Sequence, residues 1–157
     1  MEGRQRIIDC LNELLADELM SRDQYFIHSE MYKDWGYEKL YTRIAGEMGD
    51  EVEHSRQIIQ RILSLGGSPN MTPSPVDVRK DVPEMMKADL AIELKVRNNL
   101  KKAIRLCEVE KDFVTRKFLI DQLRDTEEDH AYWLEQQLKL IEDLGLENYL
   151  QQTLARE

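Results

Sequence analysis

The chain has 157 residues, of which 34% are charged and 41% hydrophobic, with seven glycines and four prolines. That length supports one domain with a sizeable core, and that composition suits amphipathic helices better than a turn-rich β fold. The net charge of −9 disfavours nucleic acid and anionic membrane surfaces as partners and favours cations.

The first stretch, Met1 to Met20, carries Glu2, Arg4, Arg6, Asp9, Glu13, Asp17 and Glu18, too many charges for a signal-peptide core or a membrane span. Cys10 and Cys107 form neither a zinc motif nor a disulfide framework, so a cytoplasmic location is expected. The first helical pattern runs from about Arg4 to Asp34, with Ile8, Leu11, Leu15, Glu18 and Tyr25 on one stripe, and stops near Gly36. A second runs from Glu38 to Leu65, with Ile44, Met48, Glu51, Ile58 and Ile62 on one face, and Gly66 and Gly67 follow where a C-cap is expected. Ser68 to Val82 holds Pro69, Pro73 and Pro75 without periodicity, long enough to cross a bundle. Pro83 opens a third helix to about Lys111, striped by Met86, Leu90, Glu93, Val96, Leu100, Ile104 and Cys107, as suits proline in a first turn. After a turn at Asp112, a fourth runs from Phe113 to Leu144, with Phe113, Ile120, Leu123, Glu127, His130, Leu134, Leu138 and Ile141 inward. Gly145 ends it, and a short fifth piece spans Glu147 to Ala155, with little core left to cover and so available to an interface. Short, long and short connections among four helices specify an all-α four-helix bundle with one crossover, over residues 1–157 as a single domain.

His54 and His130 each follow a glutamate by three positions, in Glu51-x-x-His54 and Glu127-x-x-His130. On an α-helix such pairs lie on one face, so each offers a carboxylate and an imidazole in one direction. Glu18 and Glu93 add one interior carboxylate from each remaining helix. Burying a lone carboxylate costs several kcal/mol unless something pairs with it, and no matching set of interior lysines or arginines is evident. Two dications are the simplest counter-charge, and the donor set of oxygen and imidazole without thiolate suits iron, manganese or zinc.

The motifs Asp17-Glu18-Leu19, Gln24-Tyr25-Phe26, Glu51-x-x-His54, Leu90-Ala91-x-Glu93-Leu94 and Glu127-x-x-His130-x-x-Trp133-Leu134-Glu135, with Gly145 through Gln151, resemble those of the bacterioferritins. The resemblance covers nearly the whole chain and implies a ferritin-like bundle with a di-iron ferroxidase centre. In it Glu51 and Glu127 bridge the ions, Glu18 and Glu93 are terminal carboxylates, and His54 and His130 give one nitrogen each. It further implies oxidation of Fe(II) by dioxygen or hydrogen peroxide and storage of ferric mineral in a cage of 24 subunits, with Asn148 and Gln151 lining its four-fold channels. Tyr25 would hydrogen-bond a ligand or supply an electron, Trp133 would lie near the centre, and Asp50 is a candidate for mineral nucleation on the inner wall.

One position departs from the family. The methionine that holds haem between two subunits is Val52 here, and Arg22 and Asp23 would bring charge to that pocket, so haem binding is not expected. Met31 and Met48 are read as ordinary packing residues. The resemblance is then to the haem-free subunit type, used alone or mixed with haem-binding subunits. Two rival readings are a di-iron peroxide-reducing protein, which lacks its usual four-cysteine electron site here, and a catalytically silent subunit of a mixed cage.

Overall fold

The computed structural model describes residues 2–155. Helix α1 spans Glu2–Asp34, α2 Glu38–Ser64 and α3 Val82–Glu110; the fourth bundle helix is continuous but divided into α4 (Phe113–Arg124), a π-helical segment (Asp125–Ala131) and α5 (Tyr132–Leu144), and the short α6 covers Leu146–Gln151. This is the expected all-α bundle, in which α1 packs along α2, and α3 along α4 and α5. No strand occurs among the described residues, and no described helix is long and apolar enough to cross a membrane.

The junctions follow from local chemistry. Gly66 adopts φ +84°, and Gly67 N–H then bonds Ile62 O at 2.9 Å, which satisfies a carbonyl at the end of α2. A side chain at Gly67 would meet Ile8 Cγ2 at 2.7 Å, so glycine also lets this corner close on α1. Asp81 caps α3 by accepting from Glu84 N at 3.0 Å, with Pro83 in the first turn. Lys111 turns the chain in the left-handed conformation at φ 58°, and Asp112 caps α4 through Thr115 N at 3.0 Å.

The crossover, 65–81, is held mainly by its backbone. Asn70 N–H donates to Asn12 Oδ1 at 2.7 Å, Ser74 N–H to Ala16 O at 3.1 Å, Asp77 N–H to Gln24 Oε1 at 2.7 Å and Arg79 N–H to His28 Nε2 at 3.2 Å. Because Nε2 of His28 accepts, its proton is on Nδ1, which donates to the buried Asp89 at 2.8 Å.

Two apolar clusters divide the interior. One gathers Ile7 through Met20 of α1 with Ile58, Ile62, Val96, Leu100, Ile104 and Leu119. The other gathers Tyr25, Tyr32, Leu40, Ile44, Met85, Met86, Leu134 and Tyr149. Met31 and Met48 pack against the second cluster, as expected for ordinary packing. The short α6 is not left over: Tyr149 is buried in this cluster, its hydroxyl donates to Gln137 at 2.6 Å, and Lys39 N–H reaches Thr153 O at 2.9 Å. The expectation that little core remained for it is corrected on that point. Asn148 and Gln151 lie on its exposed face.

The inward stripe of the fourth helix also differs from expectation. Phe113 and Ile120 are exposed, whereas Thr115, Leu119, Gln122, Thr126, His130 and Leu134 point inward. The π segment uses extra chain per turn, so a stripe read at a uniform 3.6-residue period places Glu127 one position off the interior line.

Candidate metal centre

Between the two apolar clusters lies a layer of buried polar side chains drawn from all four bundle helices. Glu18 comes from α1, Glu47, Glu51 and His54 from α2, Glu93 from α3 and His130 from the π segment, and all are buried. Their donor atoms form two triads, each with atoms within 4.8 Å of one another: Glu18, Glu51 and His54, then Glu47, Glu93 and His130. Glu51 joins them, with Oε2 3.7 Å from His54 Nδ1 and Oε1 3.1 Å from His130 Nδ1. The two imidazole planes lie 25° apart with centroids 6.3 Å apart.

Several groups here lack the partners that burial normally demands. Both oxygens of Glu18, Oε2 of Glu47 and Nδ1 of His54 meet no hydrogen-bond partner, although Glu18 Oε2 stands 3.6 Å from that nitrogen. Burial drives the Glu18 carboxyl well above its ordinary range, and the charge of Glu51 pushes the same way. Burial likewise raises Glu93, and raises Glu47 to about 8. Glu51 goes the other way: burial would raise it, but its contacts with Glu18 and both histidines outweigh burial and hold it low. Burial would depress His54, yet Glu18 and Glu51 outweigh it and hold the imidazole at about 11. His130 is raised in the same manner, against burial, by Asp50, Glu51 and Glu93. Burial thus favours the protonated form of Glu18, Glu47 and Glu93, while Glu51 stays ionised between the two imidazoles.

The far nitrogens of the two histidines are anchored. Nε2 of His54 faces Asp125 Oδ2 at 3.0 Å, and Nε2 of His130 faces Asp50 Oδ2 at 3.1 Å. A carboxylate on one ring nitrogen fixes the ring and leaves the other, Nδ1, aimed at the centre, the arrangement metal-ligating histidines usually have. Asp50, Glu53, Asp121 and Asp125 line a small hollow that opens beside His54. Tyr25 is buried and donates its hydroxyl to Glu93. Trp133 lies partly buried beneath the Arg43 guanidinium, 4.8 Å from its ring centre.

Five of the six ligands expected from sequence thus converge, and Glu127 does not. Its side chain is 39% exposed and its carboxylate pairs with Lys101 at 3.1 Å. The physical reason is the π segment, where the rule that residues three apart share a face no longer holds. Glu47 is the interior acid that the sequence reading missed, although it lies on the same stripe as Ile44, Glu51, His54 and Ile58. Val52 is 39% exposed on an open groove with Leu19, Arg22, Ser55, Arg56 and Met71.

Residues 8–144 match the ferritin-like domain family. The chain belongs to the ferritin family, of the bacterioferritin type. It is 57% identical over 151 residues to a bacterial ferritin of Pseudomonas aeruginosa, covering 96% of this chain and 98% of that protein. It is 53% identical over 154 residues to a bacterial ferritin of Neisseria meningitidis, covering 98% of this chain and all of that protein. A bacterioferritin of Mycolicibacterium paratuberculosis is 39% identical over 157 residues, covering 99% of this chain and 98% of that protein. Membership in the ferritin family accords with a bundle whose middle layer gathers carboxylates and imidazoles.

Proposed function

We propose that this ferritin-family chain is an iron-storage subunit with ferroxidase activity, working in the cytoplasm in a shell of 24 copies that holds ferric mineral. The observation that carries the reading is the pair of buried triads joined through Glu51, with unpartnered oxygens on Glu18 and Glu47. Their hard oxygen and imidazole donors fit ferrous iron and favour the ferric product.

Fe(II) is the substrate. Two ferrous ions each give one electron, and dioxygen taking both electrons and two protons leaves as hydrogen peroxide; peroxide can itself serve as the oxidant and leave as water. The protein's part is to hold two ions side by side, as in other two-metal sites. Glu18 and His54 hold one, Glu93 and His130 the other, and Glu51 spans both. Asp125 and Asp50 keep the imidazole nitrogens aimed inward, and Tyr25 fixes Glu93. Glu127, which pairs with Lys101 on the π segment, would bridge the two ions together with Glu51 after its side chain rotates inward. Val52 offers no atom able to ligate haem iron, so the reading carries no haem.

Stopped-flow mixing with two Fe(II) per chain tests this. Wild type is expected to show a rapid ferric absorbance rise, Glu18→Gln to lose it, and light scattering to show a large particle that retains added iron and has no haem band. An unchanged rapid phase in Glu18→Gln, or a monomer that retains no iron, overturns the reading.

A further inference from the structure

We propose that Cys10 of α1 and Cys107 of α3 form a dithiol that reduces hydrogen peroxide, closing to a disulfide across the seam between these two helices. Peroxide is what the dioxygen route proposed above would supply, but the dithiol chemistry does not depend on that route or on the metal centre.

Contacts along the seam place the two cysteines opposite one another. The helices run antiparallel, with Arg6 against Glu110, Asp17 against Asn99 and Lys95, Tyr25 against Glu93 and His28 against Asp89. In that register Cys10, one turn beyond Arg6, meets the stretch one turn before Glu110, where Cys107 stands. Both belong to one apolar cluster, with Cys107 buried in it and Cys10 part-exposed at its edge. Each thiol feels the other, since an ionised Cys10 makes Cys107 harder to ionise. A disulfide needs Cα atoms about 4.4 to 6.8 Å apart, and small residues let the helices approach here. Ala103 is buried one turn before Cys107, and a Cβ on Gly3 would run into Glu110.

The chemistry balances with peroxide alone. Cys10, as thiolate, attacks one peroxide oxygen; the S–O bond forms, the O–O bond breaks, and the other oxygen leaves as water with the thiol proton. Cys107 then attacks the sulfenic acid sulfur, so that the S–S bond forms, the S–O bond breaks and a second water leaves. Two electrons pass from the thiols to one peroxide. Burial and the Glu13 charge raise Cys10 to about 11, and burial raises Cys107 to about 12. Little thiolate is then present at neutral pH, so the reaction is slow and quickens with alkalinity.

The test adds excess hydrogen peroxide to the assembled, metal-free protein and reads free thiols and a non-reducing peptide map. Wild type is expected to lose both thiols, with the Cys10 and Cys107 peptides joined and released again by dithiothreitol. The rate is expected to rise about 10-fold per pH unit from about pH 7 to about pH 9. Cys107→Ala is expected to stop at a sulfenic acid on Cys10, captured by dimedone, and Cys10→Ala to leave Cys107 unreacted. The pairing itself is read in wild type, so it is decided even where a variant fails to fold. Unchanged thiols, a Cys10 sulfinic acid with Cys107 still free, or a bridge between the Cys10 residues of two chains overturns the proposal, and none of these touches the di-metal reading.

Discussion

Glu18 shows how a single side chain can be kept at a local disadvantage. It is 0% exposed, and neither of its oxygens meets a hydrogen-bond donor, whereas an ordinary buried carboxylate is hydrogen-bonded or paired. Replacing a buried acid that lacks partners by an amide of the same shape is often neutral or stabilising. Glu18→Gln is therefore expected to melt at the same temperature as wild type or a few degrees higher when metal-free. It should also lose most of the rise in melting temperature that Co(II) gives wild type, because ligand stabilisation scales with affinity. Calorimetry with and without Co(II) checks both; a metal-free variant several degrees less stable would mean that Glu18 serves packing. At this scale the sequence was informative about five of the buried donors and poor about Glu47 and Glu127. Glu18, Glu51, His54, Glu93 and His130 stand out as polar residues on apolar stripes. Glu47 does not, because an acid four residues after Arg43 reads as an ordinary surface pair on a helix.

At the scale of elements, the helices and their stops could be read because the punctuation is strong. Gly66, Pro83, Asp112 and Gly145 each mark a boundary that the structure keeps within a residue or two. The π segment left no such mark. Nothing in Asp125 to Ala131 breaks the helical pattern, and the segment is visible only once the fourth helix must align Thr126, His130 and Leu134 with its neighbours. That one irregularity accounts for both the outward Glu127 and the exposed Phe113 and Ile120. Asp112 allows a pH test of an element. Partial burial works to raise its carboxyl, but hydrogen bonds from Thr115 and the Arg61 charge outweigh burial and hold it below its ordinary range. A depressed folded-state pKa contributes stability that is present above the unfolded value and lost as pH falls through the folded one. Asp112→Ala is expected to cost about 1 kcal/mol at pH 7, and the gap from wild type should narrow below about pH 3.8, near the ordinary Asp value. Urea melts at neutral and acid pH measure it, and a gap independent of pH would assign the cost to something other than the ionised cap.

For the whole molecule the governing quantity is the net charge of −9. An acidic body raises the local concentration of cations and speeds their arrival, and salt screens this over a Debye length of about 10 Å at 0.1 M. The initial rate of Fe(II) oxidation is therefore expected to fall as NaCl is raised from about 0.05 to about 0.5 M, with the extent of oxidation unchanged. A rate insensitive to salt would place the slow step after entry. The bundle's larger logic was legible in the order of its connections, since a long link between two short ones allows few arrangements of four helices. The division of its interior into two apolar clusters with a charged layer between them was only half legible. Each stripe carries its polar interruption, but the depth at which the four interruptions coincide depends on packing.

The crossover is gripped at its main-chain amides, by Asn12, Ala16, Gln24 and His28, while Met71, Thr72 and Pro73 face outward. Their side chains consequently take little part in holding the loop to its own bundle. A dye grafted at Thr72 would ride on the exterior of its own bundle without disturbing the registration of the four rods beneath, and its quenching on assembly would report whether a neighbouring copy covers that face.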